Sequence, residues 1–514
     1  MAADTSDKPV SFKDTLNLPQ TEFPIHANPK VDDPAMIKRW EEEKLFHASY
    51  VQNEGKEKFV LHDGPPYANG NLHLGHAYNK ILKDTVTKSQ RMQGKHVPVT
   101  PGWDCHGLPI EFRVTKEQPG LPPKELTQAC RAYAQKWIEV QKEEFKQLGV
   151  LMNWDKPYTT MSPRYEADTL RAFGRFVADG YIERKNKTIA WCPSLSCQTA
   201  LAAAEIEYAD RKDPSVYVLF ALQKNVVERL VPALKDHEVN LLVWTTTPWT
   251  LPLNRAVLLK PGTVYAVLKV RDQYVVVAQA LATKIAAMLG VEPEVVATFN
   301  SQDIGSGKAH HPFVEDLLVP LLLDDSVALE DGTASVHCAP GCGPEDYEVG
   351  IKNNLEIFSP ISPDGKYTKG IEPQELVGMP VADGQIWVIK ELAKRGRMLH
   401  KASITHSYPH CWRCRQGLIF RATKQWFCDL SKSGLRQRTI QAISDSIAFV
   451  PAASTNRLQA TIEGRLEWCL SRQRVWGTPI PAFMCNKCDY TYVTQGLIDN
   501  VAQFVEKEGI EYWT

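Results

Sequence analysis

The arrangement of apolar and polar residues changes twice along the chain. Up to about residue 205, short apolar runs such as residues 59–61 alternate with helical periods, for example over residues 74–86. From there to about residue 400 the chain has short β-branched runs, such as residues 263–270, separated by Pro, Gly and Asp. Basic and aromatic residues then interleave in a pattern closer to the first region. We therefore predict an α/β domain interrupted by a β-rich insertion, with the chain divided into residues 1–205, 206–400 and 401–514.

Composition and charge exclude several classes of protein. Of the 514 residues 43% are hydrophobic, which is enough to bury the cores of about three domains. The 59 basic and 60 acidic residues give a net charge of −1, so the chain has no overall positive field for a histone-like or membrane-surface role. It has no apolar run long enough to span a bilayer, and its N-terminus lacks the apolar segment of an export signal. We expect a cytoplasmic protein without a membrane partner.

The segment at residues 61–83 has the composition of a phosphate-binding loop that leads into a helix. Gly64, Pro65 and Gly70 let the backbone approach a ligand closely. His73 and His76 stand at the predicted helix start, where free N–H groups and the helix dipole favour an anion. Both imidazoles could donate to phosphate oxygens, because residues three apart share a helix face. Taken alone, a pair of histidines at this spacing is more often a metal site or ordinary surface.

The flanking residues point to a known family. The sequences HDGPPYANGNLHLGHAYNKILKD and PGWDCHGLPIE resemble those of class I aminoacyl-tRNA synthetases, and within them the isoleucyl-tRNA synthetase family. His73 to His76 match the family's HIGH tetrapeptide. The resemblance continues, in the family's order, through WCPSLSCQTALAAAEIEY, WTTTPWTLPLNRA, GTASVHCAPGCGPEDY, HSYPHCWRCRQGLIFRATKQWF and WCLSRQRVWG. Valyl and leucyl relatives usually carry different residues where this chain has Asp63 to Asn69, so isoleucine is the favoured amino acid.

The resemblance implies a Rossmann-like catalytic domain that activates isoleucine with ATP and Mg²⁺ and transfers it to tRNA(Ile), in a protein that we expect to be a monomer. It implies that His73, Gly75 and His76 hold ATP and that Asp104 pairs with the α-ammonium of isoleucine. An acid between Trp103 and Cys105 is also a natural partner for a cation by itself, although a turn aspartate is the alternative. The residues implied to line the amino-acid and adenosine pocket are Gly64, Pro65, Tyr67, Asn69, Trp103 and His106.

A second chemistry is implied for the insertion. Isoleucine exceeds valine by one methylene, which discriminates too weakly for translation, and isoleucyl-tRNA synthetases are the standard example of this problem. The hydroxyls of a Thr-Thr-Thr run could orient a water, although such a run is more often plain β-propensity. By resemblance, Asp346 anchors the α-ammonium of misacylated valine, and positioning a water suffices without a nucleophile or metal. The other residues implied to line this editing site are Thr245, Thr246, Thr247, Asn254 and His337.

Two positions in the editing segment depart from the family pattern. Cys342 stands where a histidine is common in bacterial members, and Ala334 replaces a usual glycine. We expect both departures to affect the efficiency of editing more than its existence.

Six of the twelve cysteines fall in pairs. Cys192 with Cys197, and Cys411 with Cys414, have spacings suited to one structural Zn²⁺ with four cysteine ligands. These pairs lie on opposite sides of the insertion, so a shared ion would join the segments where the chain leaves and returns. Many relatives have the first pair at the shorter C-x-x-C spacing. A third pair, Cys485 and Cys488, predicts a second half-site without a partner pair, and reduced buried cysteine is the alternative for all three.

Basic and aromatic residues interleave in two segments after the insertion. They suit the phosphates and stacked bases of a tRNA acceptor end, but solvated charge beside core tryptophans explains them equally well. These residues are Arg421, Lys424, Trp426, Arg472, Arg474 and Trp476. Two further segments, at residues 305–308 and 430–434, look like a P-loop and a Lys-Met-Ser-Lys-Ser signature, and we reject both because their flanking residues do not fit.

Two functions remain open from the sequence. The first is the N-terminal part of an isoleucine–tRNA ligase, with hydrolytic editing of valyl-tRNA(Ile). The second is a separate editing or tRNA-binding module without adenylation, because the chain lacks the Lys-Met-Ser-Lys-Ser loop and an anticodon-binding domain. We expect weak or absent isoleucine-dependent ATP–pyrophosphate exchange by these 514 residues, with retained deacylation.

Overall fold

The structure is a computed structural model that describes residues 12–17, 21–22, 26–330 and 332–513. Most of the N-terminal residues on which the absence of an export signal was predicted, 1–11 and 18–20, therefore lie outside the described residues. Among the described residues, no helix combines the length and apolar character needed to cross a membrane.

Helices and strands are mixed along the chain. The helices are α1 (Pro29–Glu42), α2 (Leu45–Gln52), α3 (Leu74–Met92), α4 (Leu108–Glu117), α5 (Pro123–Gln147), α6 (Pro163–Ala178), α7 (Lys224–Leu230), α8 (Ala282–Leu289), α9 (Pro344–Lys352), α10 (Val381–Lys394), α11 (Leu435–Ser446), α12 (Ser454–Glu463) and α13 (Gln495–Glu508). The strands are β1 (Gly102–Trp103), β2 (Tyr158–Thr159), β3 (Ile182–Cys192), β4 (Thr199–Ala200), β5 (Ile206–Ala221), β6 (Val239–Thr245), β7 (Ala256–Leu259), β8 (Val264–Val270), β9 (Gln273–Ala278), β10 (Glu294–Asn300), β11 (Lys308–His310), β12 (Leu318–Leu323), β13 (Ser335–Cys338), β14 (Met398–Cys411), β15 (Ile419–Asp429), β16 (Glu467–Cys469), β17 (Phe483–Met484) and β18 (Thr491–Tyr492).

The chain forms two compact units. The first unit comprises Met1–Cys105 and Ala129–Ser162, and the second comprises His106–Gln128 and Pro163–Thr514. Each unit is described separately below. The predicted division of the chain at residues 205 and 400 stays a prediction.

Strand pairing in the first unit is parallel. β1 pairs with β2, and two isolated parallel bridges join Lys58 to His96 and Tyr67 to Asp104. Helical crossovers such as α3 and α5 separate these segments, which is the connection that parallel strands require. The predicted strand at residues 59–61 is not regular: its pairing is limited to the bridge of Lys58 with His96 and to the Phe59 N–H, which donates to the His96 carbonyl at 3.0 Å.

Helix α3 buries its polar face. The apolar period over residues 74–86 predicts this helix correctly, yet Leu74 is 85% exposed and Leu82 is 51% exposed. Lys80 is buried instead, where it forms an ion pair with the buried Asp63, and Arg91 donates to the Val97 carbonyl at 3.3 Å. Polar partners supplied by other segments therefore decide which face of α3 turns inward.

The second unit contains the predicted β-rich region. A six-stranded sheet has the order β10-β8-β9-β6-β5-β14, and a four-stranded sheet has the order β11-β12-β7-β13. Residues of both sheets and of α7, α8 and α10 form one buried hydrophobic cluster. The long strands β5 and β14 pair antiparallel from Ile206 opposite Cys411 to Val218 opposite Met398, which brings the two ends of this region together.

A third sheet joins the segments that flank the β-rich region. Its order is β16-β15-β3-β4, and β3 pairs antiparallel with β15 from Ile182 opposite Cys428 to Trp191 opposite Ile419. Helices α6 and α13 pack together in the same unit. The segments directly before and after the β-rich region therefore belong to the same unit.

Candidate active, editing and metal sites

The predicted amino-acid site lies where two loops of the first unit meet. The Ala68 N–H donates to the Asp104 carbonyl and the Asp104 N–H donates to the Pro66 carbonyl, both at 2.9 Å. This short ladder places Tyr67 beside Asp104. The Tyr133 hydroxyl donates to Asn69 Oδ1 at 2.8 Å and orients that amide. Three predicted residues from two separate motifs, Tyr67, Asn69 and Asp104, are thus in one place.

Trp103 and His106 occupy different surroundings. The Trp103 ring is 1% exposed, so it lies beneath the loops and supports them. His106 belongs to the second unit, where its Nε2 lies 3.1 Å from Oε1 of the buried Glu166 and its ring centroid lies 4.7 Å from that of Trp476. Gly64 is exposed and Pro65 is half-buried in the loop before Tyr67.

The two histidines of the tetrapeptide cap α3. His73 Nδ1 accepts from the N–H groups of Gly75 and His76 at 3.1 and 3.4 Å, and His76 Nδ1 accepts from the His73 N–H at 3.3 Å. Because both Nδ1 atoms are acceptors, each neutral imidazole carries its proton on Nε2. The rings stack with centroids 3.7 Å apart, and burial followed by the neighbouring His73 lowers the pKa of His76. Two neutral Nε2–H donors are therefore available at a helix N-terminus.

A buried ion cluster next to these loops is absent from the sequence-based predictions. Asp63 pairs with the ammonium groups of both Lys80 and Lys83. Burial, and then the charge of Lys83, lower the pKa of Lys80 to about 8. Asp63 lies directly before Gly64 in the predicted loop, and this position was the only sequence signal that could have pointed to the ion cluster.

The threonine run begins at the last residue of strand β6, and its hydroxyls form a chain of close contacts. Thr245 Oγ1 lies 3.3 Å from Thr247 Oγ1 and accepts from the Thr247 N–H at 3.1 Å. Thr247 Oγ1 in turn lies 3.4 Å from the hydroxyl of Thr250, which donates to the Thr247 carbonyl at 2.8 Å. Thr246, which lies between Thr245 and Thr247, is half-buried. Thr250 is missing from the predicted site, although it lies only three residues after Thr247.

His337 joins this chain through both of its ring nitrogens. Its Nε2 lies 2.9 Å from Thr250 Oγ1 and its Nδ1 lies 3.5 Å from the amide nitrogen of Asn254. Because the Thr250 proton is already donated to the Thr247 carbonyl, His337 Nε2 must be the donor. Burial lowers the pKa of His337 to about 4. The imidazole is therefore neutral at pH 7, and both of its ring nitrogens face protein partners, Thr250 and Asn254.

Asp346 stands in the first turn of α9. Its Oδ2 accepts from the Ala339 N–H at 2.9 Å, two residues after His337 on the same segment. Burial raises the pKa of Asp346 to about 6. The carboxylate is ionised at neutral pH without a cationic partner among the contacts that position it, which suits a group that receives a ligand ammonium.

The two departures from the family pattern have structural consequences. Ala334 has a φ of 56°, in the left-handed region that favours glycine. Cys342 is buried, and this burial raises the pKa of its thiol to about 12. A neutral thiol therefore stands where an imidazole is common, and it supplies neither a charge nor a strong hydrogen bond.

The four cysteines of the first two pairs converge in the second unit. Their Sγ atoms all lie within 4.8 Å of one another, and tetrahedral Zn²⁺ with bonds of about 2.3 Å separates its sulfur ligands by about 3.8 Å. Leu108, Leu201 and Leu418 pack around the group. Hydrogen bonds from the thiols of Cys192 and Cys197, then from backbone N–H groups, lower the pKa of Cys411. This donor set fits a structural zinc ion.

Cys485 and Cys488 lie in the turn between β17 and β18, and both are exposed. The Cys485 N–H donates to the Tyr490 carbonyl at 2.8 Å. Within the described ranges, only the group containing Cys192 brings three or more candidate ligands within reach of one ion. The second half-site stays a prediction.

The interleaved basic and aromatic residues make internal contacts. Arg472 pairs with Glu205 at 2.9 Å, Arg474 pairs with Glu111 at 3.2 Å, and Lys424 pairs with Asp489. Arg421 donates to the Ile361 carbonyl at 2.7 and 3.0 Å. Trp426 and Trp476 are buried, which agrees with the alternative of core tryptophans. Contact of these segments with a tRNA acceptor end stays a prediction.

Comparisons with known proteins identify the family of this chain. Residues 35–514 match the family described as "tRNA synthetases class I (I, L, M and V)", and the chain belongs to this family. The isoleucine–tRNA ligases of Nitratidesulfovibrio vulgaris strain DP4 and Geobacter sulfurreducens are similar to it, with 43% identity over 509 residues and 44% over 510. Each alignment covers 98% of this chain and 54% of the relative, so the chain spans about half the length of the curated relatives it matches.

A solved structure also matches, but weakly. The LeuRS–tRNA–LeuAMS ternary complex from Agrobacterium radiobacter K84 has 18% identity and a TM-score of 0.36, and the match covers 91% of this chain and 52% of that one. This likeness is too low to add to the assignment. The family match confirms the predicted class I synthetase membership, and the mixed helices and sheets agree with the predicted α/β fold class with a β-rich insertion.

Proposed function

We propose that the chain carries the amino-acid-activating and editing parts of an isoleucine–tRNA ligase. The observation that supports this most directly is the pairing of Tyr67 with Asp104 in the same unit as a histidine-capped helix. Asp104 pairs with the α-ammonium of isoleucine, and the Nε2–H groups of His73 and His76 donate to the phosphates of ATP, which binds as its Mg²⁺ complex.

Adenylate formation follows from this arrangement. A carboxylate oxygen of isoleucine attacks the α-phosphorus of ATP, and the bond from that phosphorus to the bridging oxygen breaks to release pyrophosphate. Negative charge grows on the phosphate oxygens, where the two Nε2–H donors and the helix N-terminus stabilise it. A terminal ribose hydroxyl of tRNA(Ile) then attacks the carbonyl carbon, and AMP leaves.

The second unit supplies the hydrolytic site. The ionised Asp346 binds the α-ammonium of valine on valyl-tRNA(Ile), and the hydroxyls of Thr245, Thr246 and Thr247 orient a water toward the ester carbon. His337 and Asn254 keep this hydroxyl chain in place. Attack by the water releases valine and restores the tRNA hydroxyl.

Zn²⁺ is the metal that the cysteine group would hold, with Cys192, Cys197, Cys411 and Cys414 as ligands. It supplies a structural cross-link and no chemical step. We further propose that the protein acts as a cytoplasmic monomer.

The adenylation half of this proposal is tested by calorimetric titration with the isoleucyl-sulfamate analogue of isoleucyl-adenylate. Binding of this analogue together with hydrolysis of valyl-tRNA(Ile) supports the proposal. Hydrolysis without analogue binding favours the separate editing module, and the ATP–pyrophosphate exchange rate of the same sample shows whether binding leads to chemistry.

Replacing His73 separates its two roles. We expect His73→Ala to lower stability by about 1 kcal/mol through loss of the N-cap and also to weaken ATP binding. His73→Asn keeps a capping oxygen but lacks the Nε2–H donor, so it should restore stability without restoring ATP affinity. Thermal denaturation and calorimetric ATP titration measure the two effects, and full recovery of ATP binding in the Asn variant would contradict the donor role.

Deacylation should depend on pH through Asp346. Because burial raises the pKa of this carboxyl to about 6, it gains a proton as the pH falls through that value and can no longer pair with an ammonium. We expect the hydrolysis of valyl-tRNA(Ile) to fall about tenfold per pH unit below 6. His337, with its pKa lowered to about 4, contributes no step between pH 5 and 8. A flat profile from pH 8 to pH 5 would show that the ionised Asp346 is not required.

A further inference from the structure

One fully buried side chain of α5 connects the two loops of the activation site. Gln141 is 0% exposed. Its Nε2 donates to the carbonyls of Tyr67 and Gly70 at 3.0 and 2.8 Å, and its Oε1 accepts from the Trp103 indole N–H at 3.0 Å. A single amide therefore holds both the segment around Tyr67 and the strand β1, which ends at Trp103 directly before Asp104.

The partners define the orientation of this amide. Two carbonyl oxygens can only accept, and an indole N–H can only donate, so the nitrogen must face Tyr67 and Gly70 and the oxygen must face Trp103. Removing the amide would leave the buried Trp103 indole N–H without this acceptor and the Gly70 carbonyl without this donor, while the Tyr67 carbonyl keeps the Asn69 N–H at 2.8 Å. An unpaired buried donor is unfavourable, so the native connection is preferred over a shifted arrangement of the loops.

Other residues of α5 attach the rest of the same loop. Glu144 accepts from the Asn71 side chain at 2.6 Å and from the Leu72 N–H at 2.8 Å, directly before the capping residue His73. Tyr133 holds Asn69. Spacings of eight and three residues place these three side chains on one face of α5. Only Gln141 among them reaches both loops.

We propose that Gln141 is a positioning residue for amino-acid activation, which supports the backbone ladder at Asp104 and, together with it, fixes the separation between the ATP-side loop at Tyr67–Gly70 and the ammonium-binding Asp104. The proposal rests on the proposed function, because the two loops matter together only when one ligand touches both. It goes beyond that function because it assigns the alignment of the ATP-side loop with Asp104 to Gln141, a fully buried residue that can contact neither ATP nor isoleucine.

The test compares one ligand that spans both loops with two ligands that each use one. Gln141→Met keeps the length of the side chain and lacks the amide. We expect it to weaken the isoleucyl-sulfamate analogue by about 100-fold, while adenosine and isoleucinol each lose less than about threefold, because a misplaced loop chiefly affects ligands that need both half-sites aligned. Equal losses for all three ligands would show a general structural role and overturn the proposal.

Two further variants keep the test decisive. Gln135→Met changes an exposed glutamine on the same helix and should leave every ligand unchanged. Trp103→Phe removes the indole donor together with part of the ring but leaves the two carbonyl contacts of Gln141, so it should weaken the analogue less than Gln141→Met does, with the same pattern among the three ligands. An unchanged analogue affinity in Trp103→Phe would contradict the role of the oxygen contact.

Hydrogen exchange distinguishes failure of this proposal from failure of the proposed function. We expect Gln141→Met to speed amide exchange at residues 66–72 and 102–104 by at least about tenfold, with α13 unchanged. Unchanged exchange at these loops would overturn the positioning role even if the parent binds the analogue. Faster exchange in a chain whose parent binds no analogue would instead overturn the adenylation proposal and leave the loop connection established.

Discussion

We expect that replacing Asp346 with Asn strongly impairs the proposed editing reaction without weakening the fold. We expect hydrolysis of valyl-tRNA(Ile) to fall about 100-fold, equivalent to roughly 3 kcal/mol, because the amide cannot form an ion pair with the valine ammonium. The contact with the Ala339 N–H survives, since Asn offers a carbonyl oxygen in place of the Asp346 carboxylate oxygen that lies 2.9 Å from that nitrogen.

The same substitution should stabilise the folded chain at neutral pH. The folded pKa of Asp346 is raised to about 6 from an ordinary 3.8. A raised carboxyl pKa favours folding fully below 3.8, and this contribution is lost as the pH rises through 6. Because the side chain is only partly buried, we expect Asp346→Asn to raise the free energy of unfolding by about 2 kcal/mol at pH 7.5, and by less at pH 5.

Urea denaturation at the two pH values and a deacylation assay measure these effects together. Glu345→Gln is the matched control, because this neighbour is exposed and lies in the same helical turn. It should change neither activity nor stability appreciably. Loss of activity accompanied by loss of stability in Asp346→Asn would mean that the carboxylate serves the fold and not the substrate.

Loss of the metal should have the largest effect on stability. We expect Cys414→Ser, or removal of Zn²⁺ by a chelator, to lower the free energy of unfolding of the second unit by several kcal/mol, since a structural zinc ion contributes about 10–16 kcal/mol of binding. Cys411 is the last residue of β14, and Cys414 follows three residues later. Cys192 is the last residue of β3, so a shared ion would join segments that are far apart in sequence. The midpoint of thermal unfolding should fall accordingly.

Cys428→Ser provides the matched control for this experiment. Cys428 is buried but lies outside the cysteine group, so it reports the cost of exchanging a thiol for a hydroxyl alone. Elemental analysis of the purified chain should find about one zinc per molecule in the parent and in Cys428→Ser, and less than about 0.2 in Cys414→Ser. Equal destabilisation of the two variants, with no bound zinc, would rule out the ion.

Local motifs were sufficient to locate most of the candidate chemistry. His73 and His76 could be placed at a helix start because capping and helical period act over a few neighbouring residues. The cysteine pairs could be grouped because spacing within each pair restricts the metal geometry. The face that α3 buries could not be predicted in this way. Lys80 and Lys83 pair with Asp63, which lies outside the helix, and the apolar period within the helix gives no information about that contact.

The residues that were missed act over longer distances. Gln141 is one polar residue in an amphipathic helix, and only the folded chain shows that it meets Tyr67 and Trp103. Thr250 gained its role when β13 brought His337 to the turn after β6. In both cases the sequence shows the residue but does not show which distant residue it contacts.

The sequence by itself determined the class of protein, the order of its motifs and the residue types proposed to bind isoleucine, ATP, the misacylated ester and zinc, because each of these depends on short-range spacing. The tertiary structure alone decided which of those groups meet, which indoles are buried and which carboxyl, Asp346, has its pKa raised by burial. The physical reason is that burial and hydrogen-bond partnership are properties of contacts between distant segments, and they exist only once the chain has folded.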